Sequence, residues 1–410
     1  NVASIDPLRL LTKNRMLLPN TVSQSRRGAK STPTGKNGKR ANITATHRPL
    51  ASRNTDNMPA GNSALSSNAN TISVVGDGRW QDFQRFVNRA FYYYHDGSKL
   101  GFETDDNRGD DNAKANALDF YRYLKALKDK GRLPEKIVFQ EWGVGNGTFL
   151  FNFLVFFAQL DYRQEFILDF EYHAFDISLE FLESVQQRLT SIPERYAKYE
   201  ALKLFLGKVK TRQIDLTQAV PQSEIPPVWI RFNELYDDLG QVHYIERRER
   251  SWYLVEFVPG LPKSFGIELT DGRAISFGCF LNEYLCCEDV SKLQKVANFK
   301  DVISHIEYQE KLVPLPKQRQ ALLGDYLSSL EAELADGTRF PVNIGAAVSL
   351  LKTVATLPSP AVLQFFDYGF YRRFPQEKDA VRSIEKGVGG HITSGVNFHF
   401  LELVLMKYYP

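Results

Sequence analysis

The amino-acid sequence predicts an α/β fold in which helices wrap a parallel sheet, and three observations predict it. Short apolar strands alternate with amphipathic or wholly apolar helices from residue 136 to residue 232, the pattern of successive β-α-β units. A glycine-rich turn separates the first of these strands from the helix after it, and the second strand ends in an acid. The composition, 43% hydrophobic and 24% charged, is that of an ordinary globular chain, and no apolar run reaches the ~18 residues of a membrane-spanning helix.

Residues 1–75 stand apart from that pattern. They carry eleven Lys or Arg against only Asp6 and Asp56, a net +9 that leaves −6 for the rest of a chain whose total is +3. The first aromatic residue is Trp80, so this segment has little from which to build a core. It is expected to be a disordered basic tail, suited to a nucleic-acid grip, a partner-docking arm or a targeting leader.

The ordered elements begin at Trp80. Phe83, Phe86, Val87 and Ala90 recur at helical spacing, a Gly- and Asp-rich loop covers 96–111, and a second helix runs over about 113–130 before Gly131 and Pro134. These form a helical lead-in over 80–133. Lys136 to Gln140 is then a strand, Thr148 to Leu160 a helix apolar almost all round, Phe170 to Phe175 a strand, Ser178 to Leu189 a helix and Val228 to Phe232 a buried strand. Two insertions over about 242–356 interrupt the alternation. Val242 to Val258 reads as a β-hairpin around the charged turn Glu246 to Arg250, and 288–356 holds helical stretches, among them Gln318 to Leu334 and Ala346 to Ala355. A strand at Ala361 to Phe366 follows. Cys279, Cys286 and Cys287 are odd in number and lack paired metal-ligand spacing, which points to a reducing compartment rather than a disulfide framework.

The chemistry is concentrated at the ends of the strands. Glu141-Trp142-Gly143-Val144-Gly145-Asn146-Gly147-Thr148 places three glycines where the backbone must turn sharply and present N–H groups at a helix N-terminus. A dinucleotide fingerprint would need Gly or Ala at 148, where this chain has Thr. The spacing matches instead the acid-x-Gly-x-Gly-x-Gly loop of class I S-adenosylmethionine-dependent methyltransferases. Asp176, closing the second strand, can accept hydrogen bonds from ribose hydroxyls; it can also serve as a helix N-cap, a task open to Ser178 as well. Gln213-Ile214-Asp215-Leu216 offers an acid for adenine with apolar packing beside it, and reads equally as a short acidic loop. Asn233-Glu234-Leu235-Tyr236-Asp237-Asp238 follows a buried strand. There Asn233, Glu234 and Asp237 are candidate catalytic residues, able to position a nucleophile and to pair with or deprotonate a guanidinium.

Taken together these stretches resemble the MidA family of S-adenosylmethionine-dependent methyltransferases, whose mitochondrial members include a complex I assembly factor that methylates a protein arginine. The likeness rests on Glu141 to Thr148, on Asn233 to Asp237, on the hairpin with Trp252-Tyr253 and Glu256, and on Phe366-Asp367-Tyr368-Gly369 with the run from Gly389 to Phe398. It covers residues 80–410. The resemblance implies a Rossmann-like class I methyltransferase sheet with helical and β-hairpin insertions. It also implies S-adenosyl-L-methionine as cofactor, contacted at Gly143, Gly145, Gly147 and Asp176, and a protein side-chain nitrogen as acceptor, with arginine favoured; Glu141 and Asp215 are further candidate cofactor contacts. Where the family carries an acid before its Ile/Val-Thr pair, this chain carries His391. The competing expectations are a catalytically weak or inactive methyltransferase-like assembly or scaffold factor that grips RNA or a ribonucleoprotein through its basic tail, and a small-molecule methyltransferase. The expected compartment is intracellular, cytoplasmic in a bacterium or the mitochondrial matrix in a eukaryote.

Overall fold

The structure is a computed structural model, which describes residues 69–71, 80–94, 110–191, 200–330, 334–358, 360–371, 385–386 and 390–409. The basic tail apart from 69–71, the loop over 95–109 and Gly389 lie outside the described residues.

The elements follow in chain order: β1 (Ala69–Thr71), α1 (Trp80–Tyr93), α2 (Asp110–Asp129), β2 (Ile137–Trp142), α3 (Thr148–Leu160), β3 (Phe170–Asp176), α4 (Leu179–Thr190), α5 (Glu200–Leu206), β4 (Val209–Gln213) and β5 (Trp229–Asn233). Then come β6 (Val242–Arg248), β7 (Ser251–Pro262), β8 (Glu307–Pro314), α6 (Lys317–Leu330), β9 (Arg339–Asn343), α7 (Ile344–Thr356), β10 (Val362–Phe366) and α8 (Phe398–Tyr408). Five strands form the expected parallel sheet in the order β10-β5-β2-β3-β4. The order reverses beside β2, so the carboxyl ends of β2, β3 and β5 open on one crevice, the place where such sheets bind ligands.

Aromatic packing fixes one face of this sheet. Phe149, Phe153 and Phe157 succeed each other at intervals of four along α3, with neighbouring ring centroids 5.8 Å apart. Phe153 lies 4.6 Å from Phe139 of β2, and Phe120 of α2 lies 5.2 Å from Phe157. Each such buried side chain contributes roughly 1.5–3 kcal/mol. The other face, carrying Trp142, Phe232 and Phe365, shares a core with α6, α7, α8 and a second sheet.

That second sheet enlarges what the sequence offers as a hairpin. β6 and β7 do form the hairpin, with Glu249 and Arg250 at φ +47° and +65° in its turn, but β9 pairs antiparallel with β6 and β8 with β7. The result is a five-stranded antiparallel sheet, not an isolated insertion. Its fifth strand, β1, corrects the expectation of a tail unstructured to residue 75: Ala69–Thr71 pairs with Gly260–Pro262 of β7, where the long strand runs past β6 and leaves its ladder groups to be satisfied. Residues 265–306 form a small lobe whose core includes Phe83, Phe86, Val87 and Ala90 of α1. No described helix is long and apolar enough to cross a membrane.

Candidate active site

The glycine turn is tied to the neighbouring strand by its own backbone, since the N–H groups of Gly143 and Val144 donate to Phe175 O at 2.8 and 3.0 Å. The three glycines divide by what surrounds them. All have positive φ, but a Cβ on Gly145 would meet nothing within 4 Å, whereas one on Gly147 would lie 2.9 Å from Cγ2 of Val185 in α4. Gly143 and Gly145 line a cavity of about 230 Å³. Gly147 does not; it lets the start of α3 pack closely on α4.

Asp176 reaches into the same turn. Its Oδ2 accepts from Gly145 N and its Oδ1 from Ser178 N, each at 2.9 Å. Burial pushes its carboxyl up to about 6 against these hydrogen bonds. Ser178 caps α4, its Oγ accepting from Phe181 N at 3.2 Å, so Asp176 is left facing the cavity. Asp215 lines the cavity beyond the end of β4. Its Oδ1 accepts from the N–H and the hydroxyl of Thr217, at 2.9 and 2.6 Å; its Oδ2 is buried and has no hydrogen-bond partner among the described residues.

Glu141, expected at the cofactor, lies instead behind the loop and away from the cavity. Its Oε1 accepts from Arg231 Nη1 at 3.0 Å and its Oε2 from the Tyr172 hydroxyl at 2.6 Å. The Arg231 guanidinium stands 3.4 Å from the Phe149 ring centroid. Burial pushes the Glu141 carboxyl up to about 7, with Arg231 and Tyr172 pulling the other way. The reason for its position is strand alternation: Glu141 shares the face of β2 that carries Ile137 and Phe139, the face packed under α2 and α3.

Asn233, Glu234, Asp237 and Asp238 all line the cavity after β5. Glu234 has φ +48°, and its N–H donates to Phe366 O at 2.7 Å. The next turn is held by Asp367 of the Asp-Tyr-Gly triplet, whose Oδ2 accepts from the N–H groups of Tyr236 and Asp237 at 2.8 and 3.2 Å. Glu234, Asp237 and Asp238 thus bring three carboxyls to one end of the cavity, with Asp367 bonded to the backbone of the same turn. Burial first, then Asp367, Asp238 and Glu234, hold the Asp237 carboxyl well above the usual range, and its Oδ1 is buried without a hydrogen-bond partner among the described residues.

The remaining wall comes from α1 and the segment 391–393. Gln84 donates to the carbonyls of Asp237 and Ile392 at 3.2 and 3.1 Å; Asn88 donates to Asp238 O at 3.0 Å and exchanges two hydrogen bonds with Ile392. Tyr92 donates its hydroxyl to Asp238 Oδ2. His391 lines the cavity and stacks on Phe91 with centroids 4.8 Å apart. Arg89 also lines the cavity and donates to Glu288 O at 3.2 Å and to Cys287 O. Sequence reasoning passes over Asn88, Arg89, Tyr92 and Asp238. The available signal is the repeat of Gln84, Asn88 and Tyr92 every fourth residue along α1.

A family model for S-adenosyl-L-methionine-dependent methyltransferases matches residues 118–388. The chain belongs to this family. Among solved structures, a superfamily member from Burkholderia thailandensis bound to S-adenosyl-homocysteine shares 18% identity, over 80% of this chain and 72% of its own, with a TM-score of 0.46. An uncharacterised superfamily protein from the same organism shares 18% identity over 80% and 71% of the two chains, with a TM-score of 0.45. The CcbJ methyltransferase from Streptomyces caelestis shares 13% over 43% and 70%, with a TM-score of 0.22. No curated protein matches the chain.

The methyltransferase has a cavity that fits the cofactor of its family. The open space at Gly145 admits a ligand against the backbone, and the orphaned Asp215 Oδ2 is a buried acceptor in want of a donor, a costly arrangement when nothing fills it. When bound, S-adenosyl-L-methionine supplies an activated methyl group on a sulfonium. The chain's own contribution is positioning, because such a donor needs an aligned acceptor more than it needs acid–base help.

Proposed function

We propose that this methyltransferase transfers its methyl group to a nitrogen of a protein side chain, with arginine as the favoured acceptor. The observation that carries the reading is the carboxyl cluster of Glu234, Asp237 and Asp238 at the cavity, backed by Asp367, with Asp237 Oδ1 buried and unpartnered among the described residues. Such a cluster is costly to keep in a folded protein. A guanidinium entering it would supply donors in a planar fork and a positive charge beside carboxyls whose ionisation burial and one another oppose.

In this reading Gly143 and Gly145 let the cofactor approach the backbone, Asp176 accepts from its ribose and Asp215 from its adenine amino group. Asn233, Glu234 and Asp237 face the acceptor. Gly147 acts through packing and Glu141 through the sheet, not by contact. The test is transfer of a labelled methyl group from the cofactor into proteins of a cell lysate, followed by acid hydrolysis and amino-acid analysis. Label recovered as methylarginine supports the reading; label in a small-molecule fraction, or on carboxyl groups, removes it.

A further inference from the structure

The wall formed by α1 holds a pair that the glycine loop and the strand-end acids leave out of account. Tyr92 and Asp238 both line the cavity, and the Tyr92 hydroxyl donates to Asp238 Oδ2. The pair is held from several sides. Asn88 Nδ2 lies 3.2 Å from Asp238 Oδ1, Gln84 and Asn88 tie α1 to the backbone of Asp237, Asp238 and Ile392, and the His391 ring sits 6.2 Å from that of Tyr92. Both side chains are half-buried, and these contacts hold the pair in a fixed frame in the cavity wall.

We propose that Tyr92 and Asp238 form a proton relay that contacts the acceptor nitrogen and clears its proton during methyl transfer, Tyr92 being the group that touches the acceptor. The inference rests on the nitrogen-acceptor reading above. As the methyl carbon bonds to nitrogen, its bond to sulfur breaks and the sulfur keeps the pair. The nitrogen's proton passes to Tyr92 Oη while the hydroxyl's own proton passes to Asp238 Oδ2. A guanidinium that gains a methyl group and loses one proton stays singly charged, the sulfonium becomes a neutral thioether, and the carboxylate becomes a neutral acid, so charge balances.

The relay needs a protonated hydroxyl backed by an ionised carboxylate. Burial and Asp238 hold the Tyr92 hydroxyl well above its ordinary range, which keeps it a donor, and Asp238 lies at about 6, raised by burial and restrained by His391 and Tyr92. The charged or titratable groups facing the pair are Asp237 from its own turn, Asp176 from the end of β3 and His391 from the C-terminal segment. Asp238 is therefore ionised at neutral pH, and the relay is lost as pH falls through about 6.

The experiment compares the wild-type chain with Tyr92→Phe and Asp238→Asn. Two quantities are measured: calorimetric affinity for S-adenosyl-homocysteine, and the rate of labelled-methyl transfer into lysate protein at saturating cofactor across pH 5.5–8.5. The relay requires unchanged affinity for both variants and a rate lower by about 10²-fold, within the range of acid–base contributions. It also requires loss of the acid limb in Asp238→Asn. A Tyr92→Phe variant transferring at the wild-type rate overturns the relay and leaves the nitrogen-acceptor reading standing. Absence of transfer by the wild type overturns that reading, and the relay with it. If Asp238→Asn melts early, Tyr92→Phe, which keeps the ring and removes one oxygen, decides alone.

Discussion

Arg231 donates to Glu141 across 3.0 Å inside the parallel sheet, and the same two residues face each other in the register of β5 and β2. Tyr172 of β3 bonds the other oxygen of Glu141 at 2.6 Å. One buried carboxyl therefore joins the three strands that end in the glycine turn, in Asp176 and in Asn233. Removing one partner of a buried pair strands the other, at a cost of about 3–5 kcal/mol. Arg231→Met should lose stability of that order in denaturant melts, and Glu141→Gln/Arg231→Met should recover part of it. Because Glu141 stands behind the loop, Glu141→Gln should alter calorimetric affinity for S-adenosyl-homocysteine by less than about threefold, roughly 0.65 kcal/mol. A tenfold loss of affinity without loss of stability would put Glu141 in contact with the cofactor after all.

The three glycines of the turn should separate in the same measurements. Gly145 faces open cavity and Gly147 faces Val185 at 2.9 Å, both at positive φ. Gly145→Ala pays the left-handed backbone penalty, roughly 1–2 kcal/mol, and puts a methyl group where the ligand would lie. Gly147→Ala adds a collision with α4. Gly145→Ala is expected to fold with weakened cofactor affinity, and Gly147→Ala to lose more stability than Gly145→Ala. Equal affinities for Gly145→Ala and the wild type would remove Gly145 from the site.

Why Glu141 and Gly147 read as cofactor ligands while Tyr92 goes unread is a matter of range. A glycine turn and a strand-end acid are local signals, and spacing alone places Gly143, Gly145, Asp176, Asn233 and Asp237 at one sheet edge. Whether Glu141 points at the ligand or at Arg231, 90 residues away, depends on which strand is neighbour to which. The second sheet is illegible for a related reason. Glu307–Pro314 has no clean alternation of polar and apolar residues, and its exposure along the chain is correspondingly mixed; only its antiparallel partner β7 makes it a strand.

Asp176 gives the cavity a titratable acceptor. Its carboxyl is raised from 3.8 to about 6 by burial, and a ribose hydroxyl donating to it favours the ionised form. Affinity for S-adenosyl-homocysteine should therefore strengthen as pH rises through about 6 and level off above it. Asp176→Asn should bind about 10-fold or more weakly at pH 8, a loss on the scale of one charged hydrogen bond, and show no such rise. Isothermal calorimetry at several pH values reads both effects. A wild-type affinity flat between pH 5 and pH 8 would separate Asp176 from the ligand.

Asp237 should show the opposite balance of stability and function. Its folded carboxyl lies well above the ordinary 3.8, through burial and the neighbouring acids. Below 3.8 folded and unfolded chains both carry the proton, and there the raised value costs nothing. As pH rises the unfolded chain ionises first, so folding stability is lost until pH passes the folded value. The amide introduced by Asp237→Asn cannot titrate and stays neutral beside Asp367, Asp238 and Glu234. Asp237→Asn should therefore melt above the wild type at pH 8, converge with it near pH 4, and lose transfer by about 10²-fold, the range of one acid–base or positioning group. Scanning calorimetry at the two pH values, paired with the transfer assay, tests this. A variant that melts lower at pH 8 would mean that Asp237 is stabilised in the folded chain by a partner, and the uncompensated acid cluster would no longer argue for a cationic acceptor.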